Sequence, residues 1–114
     1  MKKLLILSSA LLLSACADLS DRIGLLQSPA FEVASRPGAT KRDVITALGQ
    51  PRSSLATLNG RGTCSNYLAN VNGQAKPVYI GFNQKEQVVA YGALTCEEAQ
   101  KSGYLNATEP PKKK

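Results

Sequence analysis

The chain has 114 residues, 43% apolar and 19% charged, with a formal net charge of +6 and no histidine. That length suits one small domain. Without histidine the commonest general base and zinc ligand are missing, so Ser-His-Asp, Cys-His and HExxH chemistries are excluded. With three cysteines, a four-cysteine metal site within one chain is excluded too.

Residues 1–15 read as an export signal. Lys2 and Lys3 supply the positive start, and Leu4 to Leu13 is an apolar stretch broken by Ser8 and Ser9. It is too short to cross a hydrocarbon layer of about 30 Å as a helix. Leu13-Ser14-Ala15-Cys16 then resembles a bacterial lipobox. On that reading the chain is cut between Ala15 and Cys16, and Cys16 carries a covalent lipid that anchors it in a bilayer. Ala17, rather than aspartate, implies sorting to the outer membrane, by analogy with Gram-negative lipoproteins. The sequence calls for no cofactor beyond this lipid. Cleavage removes two lysines, leaving 12 basic against 8 acidic side chains. Three of the 12 are Lys112, Lys113 and Lys114, so the high pI of 9.4 does not mark a nucleic-acid surface.

Residues 16–37 read as a lipidated tether, part helical. Asp18 or Ser20 could cap a first turn, and a short helix fits Pro29 to Ala34 before Arg36-Pro37-Gly38 breaks it. Their apolar side chains could dock on the domain or lie near lipid. From residue 38 to 103 the pattern is that of a compact α+β domain. Thr40 and Asp43 make a capping box, Val44, Ile45 and Leu48 share a helical face, and Gly49 and Pro51 end the helix. Leu55 to Leu58 is either a short strand or an extended lead-in. Three clearer strands follow, Thr63 to Ala69, Pro77 to Phe82 and Gln87 to Thr95, joined at Asn72-Gly73 and at Asn83 to Glu86. This predicts a two-layer fold, with short helices on one face of a three-stranded antiparallel meander. Residues 104–114 read as a disordered basic tail.

Once Cys16 is lipidated, Cys64 and Cys96 remain. An even pair in an oxidising compartment reads as a disulfide. In a simple meander the two cysteines would fall at opposite ends of parallel strands. The bond therefore needs either a bend in the sheet or a chain that curls back after the last strand.

Gly38-Ala39-Thr40, Val44 and Leu48-Gly49-Gln50-Pro51 together resemble the SmpA/OmlA family of small outer-membrane lipoproteins, which includes the E subunit of the β-barrel assembly machinery. Arg61-Gly62-Thr63-Cys64, Tyr67, Tyr79, Gly92 and Thr95-Cys96 resemble its osmotically inducible branch. The resemblance covers the lipobox and most of residues 37–98. It implies helices on a three-stranded sheet, a periplasm-facing lipid anchor and a role in envelope maintenance, with a link to osmotic stress. It supplies no catalytic residue, and the protein is expected to act by binding rather than as an enzyme.

Candidate contacts are few. Arg61, between two glycines, could meet a protein partner such as a barrel-assembly component. Tyr67, Tyr79 and Tyr91 could form a tyrosine row on one sheet face. The Lys112 to Lys114 tail could touch lipopolysaccharide, anionic lipid or the cell wall, or simply be solvated. A module that inhibits or senses a periplasmic enzyme is the alternative function. A DNA-binding regulator would require the chain to stay in the cytosol.

Overall fold

The computed structural model describes residues 23–57 and 60–110. Its centre is a hairpin formed by β2 (Gly62–Val71) and β3 (Gln74–Asn83), matched over ten pairs from Gly62↔Asn83 to Val71↔Gln74. The two-residue turn works because Asn72 and Gly73 both take positive φ, 52° and 80°. That is the backbone twist a tight antiparallel hairpin requires, and asparagine and glycine adopt it most readily. β4 (Val88–Gly92) pairs with β3, with a register shift at Gly81/Phe82. β1 (Ser53–Ala56) pairs with β2, so the order is β1-β2-β3-β4, all antiparallel.

The α+β class read from the sequence holds, with four strands rather than three. Of the two readings open for Leu55 to Leu58, the short strand holds, shifted to Ser53–Ala56; it is faint in the sequence because Ser53-Ser54-Leu55-Ala56 has no apolar alternation, and only Leu55 is partly buried. Its pairing partner, rather than its own side chains, makes it a strand.

One face of the sheet carries Tyr67, Ala69, Val71, Val78, Ile80, Phe82 and Val88. Two helices cover it. α1 (Pro29–Ala34) contributes Ala30, Val33 and Ala34, and α2 (Lys41–Leu48) contributes Val44. Phe31 of α1 meets Tyr91 edge-on at 5.3 Å. Residues 29–34, expected in the tether, thus belong to the core: Val33 is fully buried. Ser28 turns the chain into α1. Its hydroxyl donates to the Leu25 carbonyl at 2.7 Å and accepts from the Phe31 N–H at 3.4 Å.

α2 follows its sequence punctuation closely. The Thr40 hydroxyl accepts from the Asp43 N–H at 3.3 Å, and the Asp43 carboxylate accepts from the Thr40 N–H at 3.0 Å. Gly49 ends the helix at φ 82°. The β3–β4 turn fixes its start: the Lys41 N–H donates to the Glu86 carbonyl at 2.8 Å, and the Val88 N–H to the Ala39 carbonyl at 3.0 Å.

The opposite face is not left open, as a two-layer fold would leave it. α3 (Cys96–Lys101) and a 3-10 turn (Tyr104–Asn106) fold back over it, giving a second cluster of Cys64, Tyr79, Cys96, Ala99 and Leu105. Leu105 falls in the stretch expected to be disordered, yet it is 2% exposed. It fits because Gly81 has no side chain: a Cβ there would lie 2.9 Å from a Leu105 methyl.

Burial of Val33 separates a core helix from a tether. Val33→Ala should destabilise the domain by about 2 kcal/mol, from lost transfer energy plus a residual cavity. Urea unfolding followed by circular dichroism measures this. A solvated tether would give a change within about 0.5 kcal/mol.

Candidate functional site

The residues singled out by sequence fall into three groups. Ala15, Cys16, Lys112, Lys113 and Lys114 lie outside the described residues. Cys64 and Cys96 lie together on the sheet face covered by α3. Arg61 and the tyrosines are spread over different surfaces.

Cys64 and Cys96 form a disulfide with Cα atoms 5.9 Å apart. Both residues are fully buried. The open question of geometry resolves as a chain that curls back. After Gly92 the backbone leaves the sheet and turns at Thr95, and α3 returns over β2 and β3. Cys64 pairs with Gly81, which pairs with Ala90, so the bond emerges over a row of small residues.

Asn66 fixes the returning chain, a role with no signal in the sequence. Its side-chain oxygen accepts from the Cys96 N–H at 2.8 Å, satisfying a donor at the open end of α3. Its amide donates to the Ser53 hydroxyl at 3.0 Å. One side chain therefore ties together β1, β2 and α3. Thr95 and Glu98 add a second capping box, with the Glu98 N–H donating to the Thr95 hydroxyl at 3.2 Å and the Thr95 N–H to the Glu98 carboxylate at 3.0 Å. The Thr95 N–H, then its hydroxyl, hold the Glu98 carboxyl below its ordinary 4.5, and Lys101 adds to the effect.

The tyrosines do not form a row. Tyr67 pairs with Val78 and Tyr91 with Ile80, on the face under α1 and α2. Tyr79 pairs with Asn66 and Gly92, on the disulfide face. The register between β2 and β3 places Tyr79 on the face opposite Tyr67, and the irregularity in β3–β4 pairing brings Val88 and Tyr91 to the same face despite their odd spacing. Each has a structural setting. The Tyr67 hydroxyl donates to the Gly49 carbonyl at 3.0 Å, closing α2 onto the sheet. The Tyr79 ring lies over Gly92, where a Cβ would come within 2.8 Å of it. Burial raises the pKa of both hydroxyls, and Tyr104 adds to the rise at Tyr79.

Arg61 lines a polar groove of about 430 Å³ with Lys85, Gln84 and Glu109 among its walls. Asn83 organises the groove. Its side-chain oxygen accepts from the Lys85 and Gln87 N–H groups, each at 3.0 Å, and its amide donates to the Thr108 carbonyl at 3.1 Å. The C-terminal segment is thereby latched to the β3–β4 turn. A second, smaller cleft of about 240 Å³ is lined by Tyr67 with Arg52, Asn66 and Glu97. Among the described residues, no three His, Cys, Asp or Glu side chains are placed to hold a metal ion. No described helix is long and apolar enough to cross a membrane.

Replacing both Cys64 and Cys96 by serine should cost about 3.7 kcal/mol in the chain-entropy description, for residues 32 apart in sequence. Chemical unfolding with and without reductant checks this, the double variant serving as the control. The Glu98 cap carries a pH signature. A carboxyl with a lowered folded-state pKa adds stability that is present above its unfolded value of 4.5 and is lost as pH falls through the lowered one. Glu98→Gln should therefore flatten the acid side of a melting-temperature profile below pH 4.5, and an unchanged profile would refute the assignment.

No family model matches the chain. It is 28% identical over 64 residues to proteins named "Osmotically-inducible putative lipoprotein OsmE" from Escherichia coli K12 and O157:H7, covering 55% of this chain. The match spans 57% of the length of those relatives. A crystal structure described as an osmotically inducible lipoprotein OsmE superposes with a TM-score of 0.63 and 26% identity, over 70% of this chain and 83% of that one. The chain is thus similar to OsmE both in sequence and in fold.

Proposed function

We propose that the protein is a small lipoprotein of the OsmE type, anchored through Cys16 to the periplasmic face of the outer membrane. It has a structural or accessory part in maintaining the envelope under osmotic stress, and it acts by binding. The observation that carries this reading is the joining of Leu13-Ser14-Ala15-Cys16 to a domain whose sequence and fold match OsmE. A buried disulfide bracing one face supports it, because such a bond persists in an oxidising compartment. Two groups of charged residues are the candidates for partner contact. The Arg61 and Lys85 groove suits an acidic or polar protein surface, such as that of a barrel-assembly component. The lysines at 112–114 suit lipopolysaccharide phosphates, anionic lipid or cell-wall anions.

The test is affinity isolation of the full chain from native envelopes in mild detergent, with Cys16→Ser as the control. Cys16 should take up an alkyne-labelled fatty acid, and the protein should sediment with outer membranes. The Cys16→Ser chain should be unlabelled and soluble. Envelope proteins or lipopolysaccharide recovered only with the lipidated form support the accessory role. Recovery of a soluble periplasmic enzyme at equal yield from both forms would overturn it in favour of the inhibitory module.

A further inference from the structure

The path of the chain before α1 says which way the domain faces the bilayer that anchors it. Residues 23–26 are helical and pack at one end of the sheet. Gly24 lies against Val71, where a Cβ would come within 2.6 Å of the valine methyl, and Leu25 packs into the helix-side core. Val71 is the last residue of β2, immediately before the Asn72-Gly73 turn. The start of the described chain is thus fixed at the tip of the β2–β3 hairpin. At the same end, Ile23 and Leu26 are 46% and 68% exposed.

Only seven residues lead from Cys16 to Ile23. Whatever path they take, they span at most about 25 Å. The other end of the sheet is farther away: β2 covers ten residues from Val71 back to Gly62, about 30 Å at ~3.3 Å per residue. The β3–β4 turn, the Arg61 groove and the Thr108 latch are all at that far end.

We propose that the domain docks on its own bilayer with the hairpin tip down, through Ile23 and Leu26, and presents the Arg61 and Lys85 groove away from it. This rests on acylation of Cys16. The occupant of the exposed apolar patch is the lipid surface, because the anchor holds that surface within reach of these residues. Two exposed large apolar side chains beside an acyl anchor add a second membrane contact to the first. Lys76, on β3 beside the tip, lies at the level of the headgroups. The groove is then held on the side that faces a periplasmic partner. The lysines at 112–114 follow the latched Thr108. With a reach of about 22 Å, of the three anionic partners named for them only the cell wall is within range in this pose.

The test uses the full acylated chain in vesicles of phosphatidylethanolamine and phosphatidylglycerol with brominated acyl chains. A bimane label is placed singly at Leu26→Cys, Gln74→Cys or Gln84→Cys, and Cys16 acylation is checked by mass. Quenching at 26 and 74 should exceed that at 84 about threefold or more, as expected for residues at the headgroup boundary. Adding Ile23→Ser and Leu26→Ser to the Gln74→Cys protein should bring its quenching down toward the level at 84, with the melting temperature unchanged. Equal quenching at all three positions, none at any, or no effect of the serines would overturn the docking while leaving the anchor intact. A Cys16 without acyl mass would overturn the anchor, and the docking with it.

Discussion

Everything in this domain hangs on the ten-pair hairpin of β2 and β3. A two-stranded ribbon is barely stable alone in water, and here neither face is left to water. Tyr67, Ala69, Val71, Val78, Ile80 and Phe82 line one side, and Cys64, Tyr79 and Gly81 the other. The two sides are closed by different means. On the first, α1 and α2 bury branched and aromatic side chains, the ordinary route to a core. On the second the cluster is smaller, and a covalent bond joins it. A domain of this size has little apolar area to spare, and a disulfide supplements what burial cannot supply.

What could be read from the sequence was local chemistry. Thr40, Asp43, Gly49 and Pro51 mark α2 because capping needs those residue types at those spacings, whatever the rest of the chain does. Asn72-Gly73 marks the hairpin for the same reason. What could not be read depended on distant partners. Ser53 to Ala56 form a strand only because β2 offers them an edge. Tyr79 faces away from Tyr67 and Tyr91 because the hairpin register puts it opposite Asn66. The six residues of α1 are nearly all apolar and too few to show a helical period, so nothing in them separates Val33 from a tether residue. Asn66 could not be identified at all: an asparagine in the middle of a strand gives no sign that it will cap a helix thirty residues later.

The candidate contacts divided along the same line. The cysteines could be paired by count and compartment, but their route to each other needed the returning chain. Arg61 stands out in the sequence for its flanking glycines, while the groove around it is built by Asn83, which positions the turn and holds the Thr108 carbonyl. Gly62 beside it is a packing requirement rather than a hinge, since a Cβ there would collide with the Phe82 carbonyl oxygen. The similarity to OsmE covers sequence and fold, and the arrangement of charged and apolar patches adds where candidate contact surfaces lie.

The curled-back C-terminal segment bears on the order in which an exported chain becomes complete. On the proposed export, a polypeptide threaded across a membrane from its N-terminus would deliver α1, α2 and all four strands before Cys96 emerges. The helix-side core can close at that stage, because Tyr91 is the last residue it needs. Cys64 then waits on a formed sheet with a bare face above it, and its partner arrives with the last elements, followed closely by Leu105. The bond between Cys64 and Cys96 is in this sense a clasp fastened after the garment is on, and a chain cut short before Cys96 would keep one finished face and leave the other open.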